Sequence, residues 1–146
     1  MTVAHWKDDA RLTSFLAGFP DRAGGPGEPD PAHAFVALDD AGGPAAALVA
    51  YEVPPLGTVL SFFTSLSHPM LHLGRLVAAF DLWALSVEQP VYYFVISRRD
   101  VYYQKIIKRV GGVVVGENAS DLLYMRQANP DGVRDYHHGA IPAVAG

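Results

Sequence analysis

Apolar positions along the chain switch repeatedly between a period of two and a period near 3.6, the signature of strands alternating with helices. Thr2 to Trp6 reads as a first strand. Leu12, Phe15, Leu16 and Phe19 recur at helical spacing and predict an amphipathic helix over residues 8–19. Asp8 and Asp9 suit its start, where backbone N–H groups lack partners, and Pro20 stops it. Residues 20–32, PDRAGGPGEPDPA, hold four Pro and three Gly and predict the most mobile internal loop. His33 to Leu38 and Ala45 to Val53 form a hairpin about Asp39-Asp40-Ala41-Gly42-Gly43. A further strand falls at 57–66, GTVLSFFTSL, rich in β-branched and aromatic residues.

After the break at His68-Pro69, Leu71, Gly74, Arg75, Ala78, Ala79, Leu82 and Trp83 follow a helical period and predict a helix over 70–86. PVYYFVIS, at 90–97, is a strand. The helical spacing of Arg99 to Val110 ends at Gly111-Gly112, a helix-stop signature. Two short strands, Val113–Gly116 and Leu122–Arg126, follow, and the stretch from Asn129 reads as an extended, mobile tail. The order β-α-loop-β-β-β-α-β-α-β-β predicts an α/β protein with a mixed sheet covered by helices. Val91–Ser97 is expected inside that sheet, with the helices at 70–86 and 99–110 packed on it. The expected organisation is one domain over residues 1–128 and a tail over 129–146.

A chain of 146 residues fits one domain, and half its residues are hydrophobic while 18% are charged, a globular balance. The formal net charge of −4 offers no global basic field for nucleic acid or an anionic membrane. The chain has no cysteine, which excludes disulfides, thiolate metal ligands and a cysteine nucleophile. MTVAHWKDDARLTSF carries charges where an export signal needs an apolar run, and no apolar stretch approaches the roughly 18 residues of a membrane span. A cytoplasmic location is therefore expected.

The strand PVYYFVIS, the helix DVYYQKIIKRVGG and the hairpin VVVGENASDLLYMR resemble the C-terminal half of the GNAT (GCN5-related N-acetyltransferase) fold. The resemblance extends over about residues 2–127 in element order. It implies a cleft for acetyl-CoA, with the pyrophosphate held by an Arg/Gln-x-x-Gly-x-Gly/Ala loop at the start of the central helix, where backbone N–H groups point at the anion. In the matching stretch His68-Pro69-Met70-Leu71-His72-Leu73-Gly74-Arg75, Gly74 alone fits the pattern. Pro69 brings no N–H and His72 adds bulk where a Gly belongs. Leu73, Gly74 and Arg75 are what would remain to hold the cofactor.

The family's general acid, a Tyr on the next helix, falls at Ile107, and Asp100 stands where the family often has Asn. If the chain is active, the resemblance leaves Tyr102 and Tyr103 as proton donors and Glu52, on the return strand of the hairpin, as a base acting through water. The aliphatic Ile107, the missing glycine loop and Thr64-Ser65 together resemble the small GNAT-like proteins of short-tailed phages. That likeness implies a virion or assembly role in a host cytoplasm or a virion, with protein partners and no cofactor.

Other chemistry has a plainer alternative at each position. His68 and His72, four apart, would share a helix face and meet a phosphate, or simply form a polar helix start. A zinc site would need a third ligand such as Asp81 or His33, and no spacing fixes one, so no metal is expected. Asp8-Asp9 would face an amine or only complement the helix N-terminus. Tyr92, Tyr93, Tyr102 and Tyr103 would line a pocket or pack in the core, where Trp6 and Trp83 are also placed. Arg98, Arg99, Lys105, Lys108 and Arg109 form a basic cluster that would meet a 3′-phosphorylated cofactor, a nucleic acid or an acidic partner, or stay a solvated face; Arg98, Arg99 and Lys105 are the expected partner-binding residues. Three functions compete: a non-catalytic GNAT-fold protein that binds other proteins, a working acetyl-CoA-dependent N-acetyltransferase, and a small-molecule sensor using the cleft between the central strands.

Overall fold

The computed structural model describes residues 2–7, 10–18, 31–64, 69–129 and 144–145, with the side chains of 69–71 and 144–145 left aside. The elements run β1 (Thr2–Lys7), α1 (Ala10–Leu16), β2 (Pro31–Leu38), β3 (Pro44–Val53), β4 (Gly57–Thr64), α2 (Pro69–Ser86), β5 (Val91–Ser97), α3 (Val101–Arg109), β6 (Val113–Glu117), β7 (Asp121–Gln127) and β8 (Val144–Ala145). One mixed sheet has the order β6-β7-β5-β4-β3-β2-β1-β8. The expected α/β order is therefore observed, with a short last strand added: β8 runs parallel to β1, pairing Val3 with Val144. Loop 20–32 is shortened at its end, because Pro31 and Ala32 already belong to β2. Its remainder lies outside the described residues, as do Asp8, Asp9, Phe19 and most of the tail.

β1 to β4 form an antiparallel meander. The Asp39 carboxylate closes the β2–β3 turn by accepting the N–H groups of Ala41 and Gly43, each at 2.9 Å. β5 joins β4 in parallel and β7 antiparallel, so Val91–Ser97 lies inside the sheet as expected. One face carries the main core, in which Leu76, Val77 and Phe80 of α2 and Ile106 and Ile107 of α3 pack on Phe35, Leu48, Leu60, Tyr92 and Phe94. On the opposite face α1 sets Leu12 and Leu16 against Trp6, Val36, Val49 and Phe63.

The run into β6 depends on Gly112. Its N–H bonds the Ile107 carbonyl at 2.7 Å to end α3, and a Cβ there would collide with the Ile107 side chain and lie 2.8 Å from its carbonyl oxygen. Gly111 beside it has φ +98°, the left-handed conformation that closes helices.

Candidate functional site

β4 and β5 pair only at Val59 with Tyr93 and Leu60 with Phe94 among the described residues. Beyond those pairs β4 keeps its ladder to β3 and β5 its ladder to β7. Each strand follows its own partner as the sheet twists, and the two part. The gap is a cleft of about 480 Å³. Its walls are Phe62 and Thr64 of β4, Leu73 of α2, Val95 to Ser97 of β5, and Asp100, Tyr102, Tyr103 and Ile106 at the start of α3.

α3 begins here because Asp100 caps it, its Oδ1 accepting the Tyr103 N–H at 3.0 Å. Gln104 reaches back to donate to the carbonyls of Ser97 and Arg98 at 3.0 and 3.1 Å, which fixes the β5–α3 corner. The Tyr103 ring meets Phe62 and Phe94 edge-on, with centroids 6.2 and 6.3 Å away. Tyr102 is exposed.

The structure brings together some of the residues singled out in the sequence and separates others. Tyr102, Tyr103 and Leu73 line the cleft. Gly74 is buried, and Arg75 is half-buried with its Nε lacking a partner. Glu52 does not line the cleft. It lies near the far end of the β3–β4 hairpin, beside Thr58, whose hydroxyl donates to it at 2.7 Å. Thr58 precedes Phe62 by four residues of extended chain, about 13 Å. Ile107 is fully buried in the core and offers no hydroxyl to the cleft.

α2 begins at Pro69, so one of the N–H groups at that helix start is missing. His72 lies on the first turn of α2. Its ring is buried, is not part of the cleft wall and has an unpartnered Nδ1, and burial followed by the nearby Arg75 charge lowers its pKa. Arg98 donates to the Asn118 carbonyl at 2.8 Å and meets Glu117 at 3.2 Å, while Arg99 and Lys105 are exposed.

The zinc candidates are not gathered. His33 shares a 3.0 Å hydrogen bond with His5 beside Phe80 and Trp83, and His68 lies outside the described residues. Among the described residues no group of three His, Asp or Glu is placed to hold a metal. No described helix is long and apolar enough to cross a membrane.

Asp81 instead belongs to a buried network that the sequence reading did not find. Tyr92 and Arg126 both donate to Asp81 Oδ1, Arg126 also donates to the Tyr92 oxygen, and its Nε bonds the Val110 carbonyl at 2.7 Å. The Asn129 N–H donates to Asp81 Oδ2 at 3.2 Å. Burial pushes the Asp81 carboxyl upward against the opposing pull of Arg126, and burial raises the Tyr92 phenol. The network ties α2, β5, the end of α3 and β7 together at the end of β5 remote from the cleft.

No protein-family model matches the chain, and no curated protein matches it in sequence. Solved structures do. A chain assigned as an acyl-CoA N-acyltransferase in Klebsiella pneumoniae aligns with a TM-score of 0.66 at 12% identity, covering 88% of this chain and 97% of that one. The ribosomal-protein-S5-alanine acetyltransferase of Vibrio fischeri aligns at 0.57 and 12% identity, over 81% of this chain and 68% of its own. A GNAT-family acetyltransferase of Listeria monocytogenes aligns at 0.54 and 14% identity over 64% of this chain, which spans 63% of the Listeria protein. The shared element order, the parting of β4 from β5 and these alignments together establish that the chain has the GNAT fold.

Proposed function

We propose that this protein is a GNAT-fold binding protein that performs no acetyl transfer and acts on protein partners, as in an assembly complex. The observation that supports it most is the proton-transfer chemistry of the cleft. Acetyl transfer to an amine needs an acceptor for the amine proton and a donor for the departing thiolate. The described walls hold the hydroxyls of Thr64, Ser97, Tyr102 and Tyr103 and one carboxylate, Asp100, which spends an oxygen on capping α3. Glu52 stands at the other end of β4, and Ile107 is in the core. The cofactor side is also weakened, because Pro69 withholds an N–H from the helix start that would face a pyrophosphate. The exposed Arg99 and Lys105, beside Arg98, offer a basic surface for an acidic partner.

A second reading rests on the same wall. Tyr103 or Tyr102 protonates a CoA thiolate, and the chain is an acetyltransferase with an unorthodox cofactor loop that retains Leu73, Gly74 and Arg75. The test is thiol release from acetyl-CoA with a panel of primary amines, for the wild type, Tyr103→Phe and Glu52→Gln. The binding reading expects no release above background from any of the three. Wild-type turnover that falls about 10²-fold or more in Tyr103→Phe replaces it with the second reading.

A further inference from the structure

The two margins of the sheet are finished differently. At one margin β8 covers β1 with two residues, and α1 covers the neighbouring face. At the other margin β6, five residues long, is the edge strand among the described residues. The face that α1 covers over β1 to β3 continues onto β5, β7 and β6, and there Val91, Val95 and Val113 are 41%, 49% and 58% exposed. Val114 and Val115 are exposed as well. The register slips between Val114 and Gly116, but no Lys, Arg or Pro guards the strand. Even a short apolar edge strand offers backbone groups on which another strand can add.

The occupant is indicated by the charges that flank the valines. The chain reads Lys108-Arg109-Val110-Gly111-Gly112-Val113-Val114-Val115-Gly116-Glu117, with cations before an uncharged centre and an anion after it. An antiparallel pairing of this stretch with itself about Val114 sets Glu117 opposite Gly111, next to the cationic end of α3 in the other copy. Two-fold symmetry repeats the contact at both ends, so the strand is complementary to itself. Lys108 and Arg109 are exposed, and among the described residues Glu117 pairs with the exposed Arg98 in a contact open to solvent.

We propose that β6 pairs with β6 of a second copy, antiparallel across a two-fold axis, to join the two sheets into one. The pairing uses the backbone edge, the valines Val113 to Val115, and two symmetry-related contacts between Glu117 and the Lys108–Arg109 end of α3. It does not depend on whether the cleft binds a cofactor, so its test is separate from that of the proposed function.

The experiment is sedimentation velocity on the full chain over a wide concentration range. The wild type is expected as a concentration-dependent dimer and Val114→Lys as a monomer. Arg109→Glu is expected to weaken association roughly two- to thirtyfold, as two exposed ion pairs would, and the double variant Arg109→Glu/Glu117→Arg to recover most of the loss. That charge exchange is on the surface and keeps the test open if Val114→Lys fails to fold. Val95→Lys, on the open face away from the edge, should leave the dimer intact. A wild type that stays monomeric overturns the proposal. So does a dimer insensitive to both Val114→Lys and Arg109→Glu, or one dissolved by Val95→Lys, which would place the contact on the face.

Discussion

At the start of β5, Tyr92 is sealed between Asp81 and Arg126; four residues later, Ile96 and Ser97 stand on the wall of an open cleft. The sealed end holds an ion pair whose side chains are 1% and 0% exposed. The open end holds hydroxyls, apolar walls and a capping carboxylate. Groups with displaced protonation tend to gather where chemistry is done. Here Asp81, Tyr92, His33 and His72 are all displaced by burial, and none of them lines the cleft. The buried charge of this fold is committed to joining α2, β5 and β7, which is why a GNAT architecture alone does not imply a working site.

The strongest way to break this contrast is at the sealed end. Asp81→Asn leaves the Arg126 guanidinium buried without its counter-charge and should cost about 3–5 kcal/mol of stability in urea unfolding. Replacing both partners, Asp81→Leu with Arg126→Met, should recover much of that loss, since a buried pair is often no better than an apolar one. A single-variant loss under about 1 kcal/mol would show the network to be incidental.

Backbone fit at the end of α3 comes next. Gly112→Ala forces a methyl group into Ile107 and its carbonyl and should cost about 1–3 kcal/mol, read from the same unfolding curves.

The His5–His33 pair gives a pH signature outside both ends of β5. Burial, followed by the charges of His5 and Lys7, lowers His33 to about 4, below its ordinary value of 6.5. The folded state thus favours neutral His33, and the unfolded state takes up a proton first as the solution is acidified. Stability should be intact above pH 6.5 and decline as pH falls toward 4, by on the order of 2 kcal/mol once solvent beside the half-buried His5 is allowed for. The slope between those limits should flatten in His33→Phe.

The smallest effect is expected at Glu52. Gln can still accept the Thr58 hydroxyl, so Glu52→Gln should change stability by under about 0.5 kcal/mol. A large loss would mean that this carboxylate does more than bond Thr58.

Much of the fold was legible in the sequence because each element carried its own period. The alternation in Thr2 to Trp6 and PVYYFVIS, the spacing in α2 and the Gly111-Gly112 stop all reappear within a few residues of their expected bounds. β8 was missed because two residues carry no period; only their pairing with β1 defines them. Of the site, Tyr102 and Tyr103 were singled out because they lie a turn before Ile107, where the resemblance puts a Tyr, and both line the cleft. Phe62 and Ser97 went unassigned and Thr64 was singled out only as part of a resemblance, since the parting of β4 and β5 is a property of the sheet. Arg126 was read only as the end of a strand. Its partners lie 34 and 45 residues away in sequence, and no local pattern joins them. His72 was placed by alignment to a glycine loop, whereas the helix turns its ring into the protein.

Whether the cleft has lost the cofactor chemistry of its fold is decided by titration calorimetry of the full chain with acetyl-CoA. One lost charge-assisted hydrogen bond, at Pro69, is worth roughly 1.5–3 kcal/mol, or at least about tenfold in affinity. The expected result is a dissociation constant at least about tenfold weaker than micromolar, or no saturable heat at all. A micromolar constant that weakens when Arg75→Ala or Gly74→Val is introduced into the folded protein would contradict it and restore the acetyltransferase.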